Sequence, residues 1–90
     1  MIIRKHIYIK GRVQGVGFRS SVLDRAYKLG LKGYVKNLPD GRVFIDAEGE
    51  INKLENLALW CKSGPSYARV DSVNTSDHPV AGYERFTVKH

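Results

Sequence analysis

Three glycines and an arginine stand close together in the stretch Gly11–Arg19, which reads GRVQGVGFR. An alternating apolar run precedes this stretch and an apolar pattern at helical spacing follows it, so it predicts a strand-to-helix turn. Glycine accepts positive φ and lets a ligand approach the main chain, and the first N–H groups of a helix lack intrahelical acceptors. Because the guanidinium of Arg19 can also hold two phosphate oxygens at once, these features predict an anion-binding cradle.

The predicted cradle differs from the familiar nucleotide-binding loops. No Gly-Lys-Ser/Thr follows it, which excludes a Walker A loop, and Ser20 stands where the third glycine of a dinucleotide fingerprint would fall. The local pattern leaves a second interpretation open, in which the glycines form a tight connection and Arg19 is solvated on the first helical turn.

Length and composition restrict the class of protein. Ninety residues, 42% hydrophobic and 27% charged, indicate one globular domain over residues 1–90. No apolar run is long enough to span a bilayer, so we expect no membrane partner. A single cysteine, Cys61, cannot form an internal disulfide, which favours a cytoplasmic location. The net charge of +6 suits an anionic partner: nucleic acid, an acidic surface or a small phosphorylated substrate.

Hydrophobic patterns and turn residues predict the element order β-α-β-β-α-β with one further strand. The predicted strands lie at about residues 2–10, 31–38, 42–48, 68–74 and 83–88, and the helices at about 18–29 and 51–62. This order is typical of a ferredoxin-like α+β sandwich (split βαβ), with two helices on one face of an antiparallel sheet of four to five strands. Polar residues at the even positions of the first strand predict that the other face of the sheet is open.

Other reactive side chains fit catalysis less well. Cys61 falls on the predicted apolar stripe of the second helix, which indicates packing. The histidines are predicted on an exposed face (His6), in a loop (His78) and at the end of the chain (His90), as solvated residues without metal-ligand spacing. We therefore expect no metal and no cofactor.

The sequence resembles the acylphosphatase family. Gly11–Arg19 matches the family's phosphate loop, and Gly33–Val43, which reads GYVKNLPDGRV, matches its second signature. Gly64-Pro65 with Ala68–Val70 resembles the segment after the second helix, so the resemblance covers nearly the whole chain. It implies an enzyme that hydrolyses acyl phosphates to a carboxylate and inorganic phosphate, without a metal or cofactor.

The same resemblance implies roles for individual residues. The catalytic residues would be Arg19 and Asn37, with Asn37 orienting the attacking water. The expected ligands are a small acyl phosphate and phosphate or sulfate anions, bound by the loop residues Gln14, Gly15, Val16, Gly17, Phe18 and Arg19. From the residues alone, Asn37 could equally cap the turn that follows it. The sequence departs from the family pattern at Tyr34, where tryptophan is common, and at Phe44, where a polar residue is expected. It departs also at Ser20 and Ser21, where larger side chains are frequent.

The chemistry agrees with the residue types. The leaving group of an acyl phosphate is a carboxylate, a weak base that needs no general acid. Phosphoryl transfer proceeds mainly through positioning and charge stabilisation, which require oriented N–H donors, a bidentate cation and a group that aims the water.

Two other functions remain open. An RNA-recognition module would use aromatic residues on the open sheet face, where Tyr8 and Phe44 are predicted. The first residues of the RNP1 pattern are absent around Arg42–Ile45, so we do not expect nucleic acid as a partner. The other alternative is a non-catalytic, acylphosphatase-like accessory domain; its isolation as a 90-residue chain favours a free-standing enzyme. The sequence does not define the oligomeric state, and since nothing in it suggests an oligomer, we expect a monomer.

Overall fold

Two helices and five strands make up the computed structural model, which describes the whole chain, Met1–His90. The elements are β1 (Ile2–Arg12), α1 (Phe18–Leu29), β2 (Lys32–Asn37), β3 (Val43–Glu50), α2 (Ile51–Cys61), β4 (Arg69–His78) and β5 (Phe86–Lys89). The strands form one sheet in the order β4-β1-β3-β2-β5, and both helices pack against it. The predicted ferredoxin-like α+β fold is confirmed.

A single apolar core fills the space between the helices and the sheet. Its buried members include Ile7 and Ile9 of β1, Val43, Ile45 and Ala47 of β3, Phe18, Val22 and Ala26 of α1, and Leu54, Leu57 and Cys61 of α2. The strand residues alternate along the chain and the helix residues recur every three or four positions, which are the periods that place side chains on one face. The apolar patterns of the sequence therefore define which face of each element is buried.

The sheet is mixed rather than wholly antiparallel. β5 pairs in parallel with β2, whereas every other neighbouring pair is antiparallel. β4 is also longer than predicted, because Thr75–His78, which we expected in a loop, continues the ladder with β1. Backbone pairing at a sheet edge needs no apolar alternation, so this polar segment carries no strand pattern.

The sheet face away from the helices is covered at its centre, contrary to the prediction of an open face. Three β3 side chains on this face are almost fully buried: Phe44, Asp46 and Glu48. The Glu48 carboxylate accepts hydrogen bonds from the backbone N–H groups of Ala81 (2.8 Å) and Tyr83 (2.6 Å). These bonds hold the segment between β4 and β5 across the outer face of β3.

Several strands and the first helix begin or end at the same end of the sheet. β1 ends and α1 begins there, and the turn from Asn37 to Val43 joins β2 to β3 at the same end. The segment between β4 and β5 crosses at the opposite end, where Arg4 pairs with Glu48 and with His78. The loop before α1 is therefore left accessible beside the end of β2.

Candidate active site

The loop that leads into α1 exposes a row of unpaired backbone donors. Gly15 and Gly17 both adopt left-handed backbone conformations, with φ of 74° and 78°. Gly17 is the N-cap of α1, no side chain caps the helix, and its first turn contains no acidic residue. None of the backbone N–H groups in the range Gln14–Ser20 has a protein acceptor. Successive free N–H groups at a helix N-terminus form a concave site for an anion.

Arg19 lies beside this loop on the first turn of α1, and the end of the chain holds its guanidinium. Its Nη1 donates to the carbonyl oxygen of Lys89 (3.3 Å) and lies 3.2 Å from Nδ1 of His90. Nε and Nη2 have no protein acceptor. Arg19 is thus anchored rather than simply solvated, and two guanidinium nitrogens remain available for a bidentate contact with an oxyanion.

Asn37 is the last residue of β2, and its amide faces the same space. Its Oδ1 is buried without a hydrogen-bond partner, and the side chain makes no bond to the turn that follows. Backbone bonds from Leu38 N to Arg42 O (2.8 Å) and from Gly41 N to Leu38 O (3.1 Å) hold that turn instead. The Asn37 side chain therefore does not cap the turn, and its buried Oδ1 is left without the partner that such an atom ordinarily has.

A cavity of about 320 Å³ joins these features. Its lining residues are Val13, Gly15, Gly17, Phe18, Arg19, Ser20, Leu23, Asn37, Val88 and His90. The structure therefore brings Gly15, Gly17, Phe18 and Arg19 together with Asn37, although Asn37 belongs to a different element. No Asp or Glu side chain lines the cavity.

Two predicted loop residues direct their side chains elsewhere. The Val16 side chain packs against the apolar core. The Gln14 amide nitrogen donates to the carbonyl oxygens of Leu38 (2.8 Å) and Arg42 (3.0 Å). Only the backbone N–H groups of Gln14 and Val16 remain available to an anion.

Sequence reasoning did not assign five residues that line the cavity to the site: Val13, Ser20, Leu23, Val88 and His90. Leu23 follows Arg19 by four positions and so shares its helix face, a spacing that could have identified it. Val88 and His90 reach the cavity because β5 pairs in parallel with β2. No local sequence pattern signals that pairing.

Cys61 packs in the core, as predicted. Its side chain is fully buried, and burial raises the pKa of the thiol to about 12. The thiol is therefore protonated at neutral pH and cannot act as a nucleophile.

The histidines are less scattered than predicted. The rings of His6 and His78 stack with their centroids 3.6 Å apart, because β4 extends far enough to pair with the start of β1. Burial lowers the pKa of His6, whereas His90 contacts Arg19. Nowhere in the chain do three or more His, Cys, Asp or Glu side chains converge on a point where they could hold a metal ion. Neither helix is long and apolar enough to cross a membrane.

The predicted aromatic platform for nucleic acid is not exposed. Phe44 is only 6% accessible, and its ring lies under the ammonium group of Lys36 and against the ring of Tyr8. Base stacking requires an accessible ring face, so the pair of Tyr8 and Phe44 does not form the expected surface.

A second, larger hollow of about 560 Å³ lies between the β2–β3 turn and β4. Two of its cations are already paired: Arg42 donates to Asp40 (2.8 Å) and Arg69 donates to Asp71 (3.3 Å). Its carboxylates would repel an anion. The smaller cavity, by contrast, has free donors and no Asp or Glu side chain in its lining.

Comparisons with known proteins identify a family and its fold. The acylphosphatase family model matches residues 5–88. An acylphosphatase of a Synechococcus strain is 48% identical over 86 residues, which are 96% of this chain and 86% of that protein. The crystal structure of the Bacillus subtilis acylphosphatase is 38% identical, covers all of both chains and superposes with a TM-score of 0.95. A phosphate- and nucleotide-bound structure of full-length HypF is 32% identical over all of this chain but only 12% of its own, with a TM-score of 0.90.

Proposed function

This chain belongs to the acylphosphatase family and is a hydrolase of acyl phosphates, and we propose a mechanism in which the cavity beside α1 performs the reaction. The phosphoryl group binds to the backbone N–H groups of the Gly15–Arg19 loop. The free edge of the Arg19 guanidinium binds two of its oxygens. Positive potential at the start of α1 adds to this attraction.

The reaction needs little beyond this charge stabilisation and a correctly aimed water. The leaving carboxylate is a weak base and departs without a proton donor. The amide of Asn37 holds the attacking water in line with the bond that breaks: Oδ1 accepts a hydrogen from the water, and Nδ2 donates to a phosphate oxygen. Fixing the water in this way acts mainly on the transition state. The products are a carboxylate and inorganic phosphate.

The observation that carries this proposal is the convergence of unpaired groups on one cavity. The N–H groups before α1, two nitrogens of Arg19 and the buried Oδ1 of Asn37 all lack protein partners. Of these groups the Oδ1 of Asn37 is buried, and because buried polar groups in proteins are nearly always paired, it marks a place that a polar ligand or water fills. The accessible N–H groups and guanidinium beside it suit an anion. A bound phosphate and the attacking water together provide a hydrogen-bond partner for each of these groups.

Hydrolysis of benzoyl phosphate, followed by the release of benzoate, tests the proposal. Asn37→Ala should lower kcat by on the order of 10²-fold while the inhibition constant of inorganic phosphate changes little, because the cradle is intact. Asn52→Ala, on the exposed surface of α2, is the matched control and should leave both values unchanged. Simple phosphate monoesters should be poor substrates, because an alkoxide leaving group needs an acid. An Asn37→Ala variant with the kcat of the wild type would refute the role of Asn37.

A further inference from the structure

Gln14 joins the phosphate loop to the strand that carries Asn37. Its Nε2 donates to the carbonyl oxygens of Leu38 and Arg42, which face each other across the β2–β3 turn. Leu38 directly follows Asn37 in the chain. These are the only hydrogen bonds between residues 13–20 and the turn over residues 37–43.

The Gln14 side chain has no donor left for a phosphate. A primary amide carries two N–H hydrogens, and both are directed at carbonyl oxygens here. The opposite orientation of the amide would place Oε1 against the same two carbonyl oxygens, so these partners fix its orientation. The expectation that Gln14 binds phosphate therefore stays a prediction that concerns its backbone N–H, because the turn occupies its side chain.

We propose that Gln14 is a positioning residue for hydrolysis, which sets the distance between the bound phosphate and the Asn37 amide. This inference rests on the proposed function of Asn37. Phosphate is fixed by the loop and the water is fixed by Asn37, so the attack geometry depends on how firmly the loop and β2 are joined. Gln14, which directly precedes Gly15, connects the loop to β2 through its side chain and does not touch the reacting atoms.

The two hydrogen bonds of Gln14 attach the loop to a rigid part of the chain, because each acceptor also takes part in the hydrogen bonds of the turn. Leu38 O also accepts from Gly41 N, and Arg42 O also accepts from Leu38 N. The amide therefore contacts both sides of a closed hydrogen-bonded turn rather than a mobile loop. A displacement of about 1 Å between reacting groups can reduce a rate by about 10²-fold, so this link can matter for kcat.

A double-mutant cycle with Asn37 tests the proposal. Gln14→Leu removes both donors at similar volume and should lower kcat for benzoyl phosphate by about tenfold or more, with the inhibition constant of inorganic phosphate changed by less than about threefold. In the Asn37→Ala background the same substitution should have no further effect on kcat, because Gln14 acts through Asn37. Gln14→Asn, whose shorter amide can reach only one carbonyl, should show a smaller loss that also disappears in that background, and it replaces Gln14→Leu if the latter does not fold.

Asp40→Ala is the matched control. The Asp40 carboxylate accepts bonds from the backbone N–H and guanidinium of Arg42, so it stabilises the same turn without joining it to the loop. It should lower the melting temperature but leave kcat within about twofold.

Two results would overturn the positioning role. Equal losses of kcat from Gln14→Leu with Asn37 present and absent would show that Gln14 does not act through Asn37. A rise in the phosphate inhibition constant as large as the fall in kcat would show that Gln14 shapes the cradle instead. If Asn37→Ala itself keeps the wild-type kcat, the proposed function of Asn37 fails first, and the inference fails with it.

Discussion

Arg4 donates two parallel hydrogen bonds to Asp46, from Nε to Oδ1 (2.8 Å) and from Nη2 to Oδ2 (2.7 Å), on the sheet face away from the helices. The Tyr83 hydroxyl donates a third bond to the same carboxylate (2.6 Å). Burial alone would raise the pKa of Asp46, but the bonds from Arg4 and Tyr83 hold it below its ordinary value. The central strand of the sheet thus carries a buried, fully paired charge.

Breaking this ion pair should destabilise the protein strongly. Arg4→Ala leaves the Asp46 carboxylate buried without its cation, so we expect the free energy of unfolding to fall by about 3 kcal/mol in urea denaturation. Lys5→Ala is the neighbouring control. Its partner Asp77 is largely exposed, and its loss should cost less than about 1 kcal/mol. Equal losses from the two variants would contradict the account of the outer face.

The half-buried His6 should make stability sensitive to mild acid. Burial lowers the pKa of His6 in the folded state, whereas unfolded histidine titrates near pH 6.5. As the pH falls below about 6.5, His6 is therefore protonated in the unfolded state before it is protonated in the folded state. Its contribution to the free energy of unfolding is complete above this pH and is lost as the pH falls to the pKa of the folded state. The bonds from Arg4 and Tyr83 keep the pKa of Asp46 below its ordinary value, so this group does not add to the loss in mild acid.

Melting temperatures at pH 7 and pH 5 test the contribution of His6. The fall on acidification should be smaller in His6→Gln than in the wild type, since glutamine does not titrate. An identical fall in both proteins would assign the acid sensitivity to other groups.

Gly64 should be needed to keep Phe18 at the start of α1. A Cβ on Gly64 would lie 2.6 Å from Cε2 of the Phe18 ring. Gly64→Ala should therefore cost about 1–3 kcal/mol of overpacking beyond its backbone strain and should also raise KM, because Phe18 lines the cavity. Gly30→Ala has a similar positive φ but an open surrounding, so it isolates the backbone strain. Equal effects on stability and KM would show that Phe18 adapts freely.

Removing divalent metal ions should not affect the reaction. The proposed charge stabilisation comes from backbone N–H groups and Arg19, so hydrolysis of benzoyl phosphate should proceed at the full rate in excess chelator. Activity that falls on chelation and returns with an added divalent ion would contradict the mechanism.

Local sequence patterns were sufficient to predict most of the fold. α1 occupies the predicted residues because Phe18, Val22 and Ala26 recur at helical spacing and Gly30 ends the helix. The loop before α1 could also be predicted from the sequence, since its glycines take the positive φ that their residue type permits.

Contacts between distant segments could not be predicted in this way. Glu48 is buried because backbone N–H groups more than thirty positions later bond to its carboxylate, and no local pattern encodes that bond. The same holds for Gln14, whose role depends on carbonyl groups 24 and 28 positions away. The contact between His90 and Arg19 likewise depends on the parallel pairing of β5 with β2, which no local pattern predicts.

The rise in melting temperature caused by inorganic phosphate tests the central claim most directly, because it reports where the anion binds without depending on turnover. At about ten times the dissociation constant, phosphate should stabilise the wild type by about 1.4 kcal/mol, which corresponds to about 5–10 °C for a domain of this size. Asn37→Ala and Arg69→Ala should keep this shift, the latter because its guanidinium belongs to the other hollow. Arg19→Ala should lose it. A full shift in Arg19→Ala, or its loss in Arg69→Ala, would show that phosphate binds elsewhere.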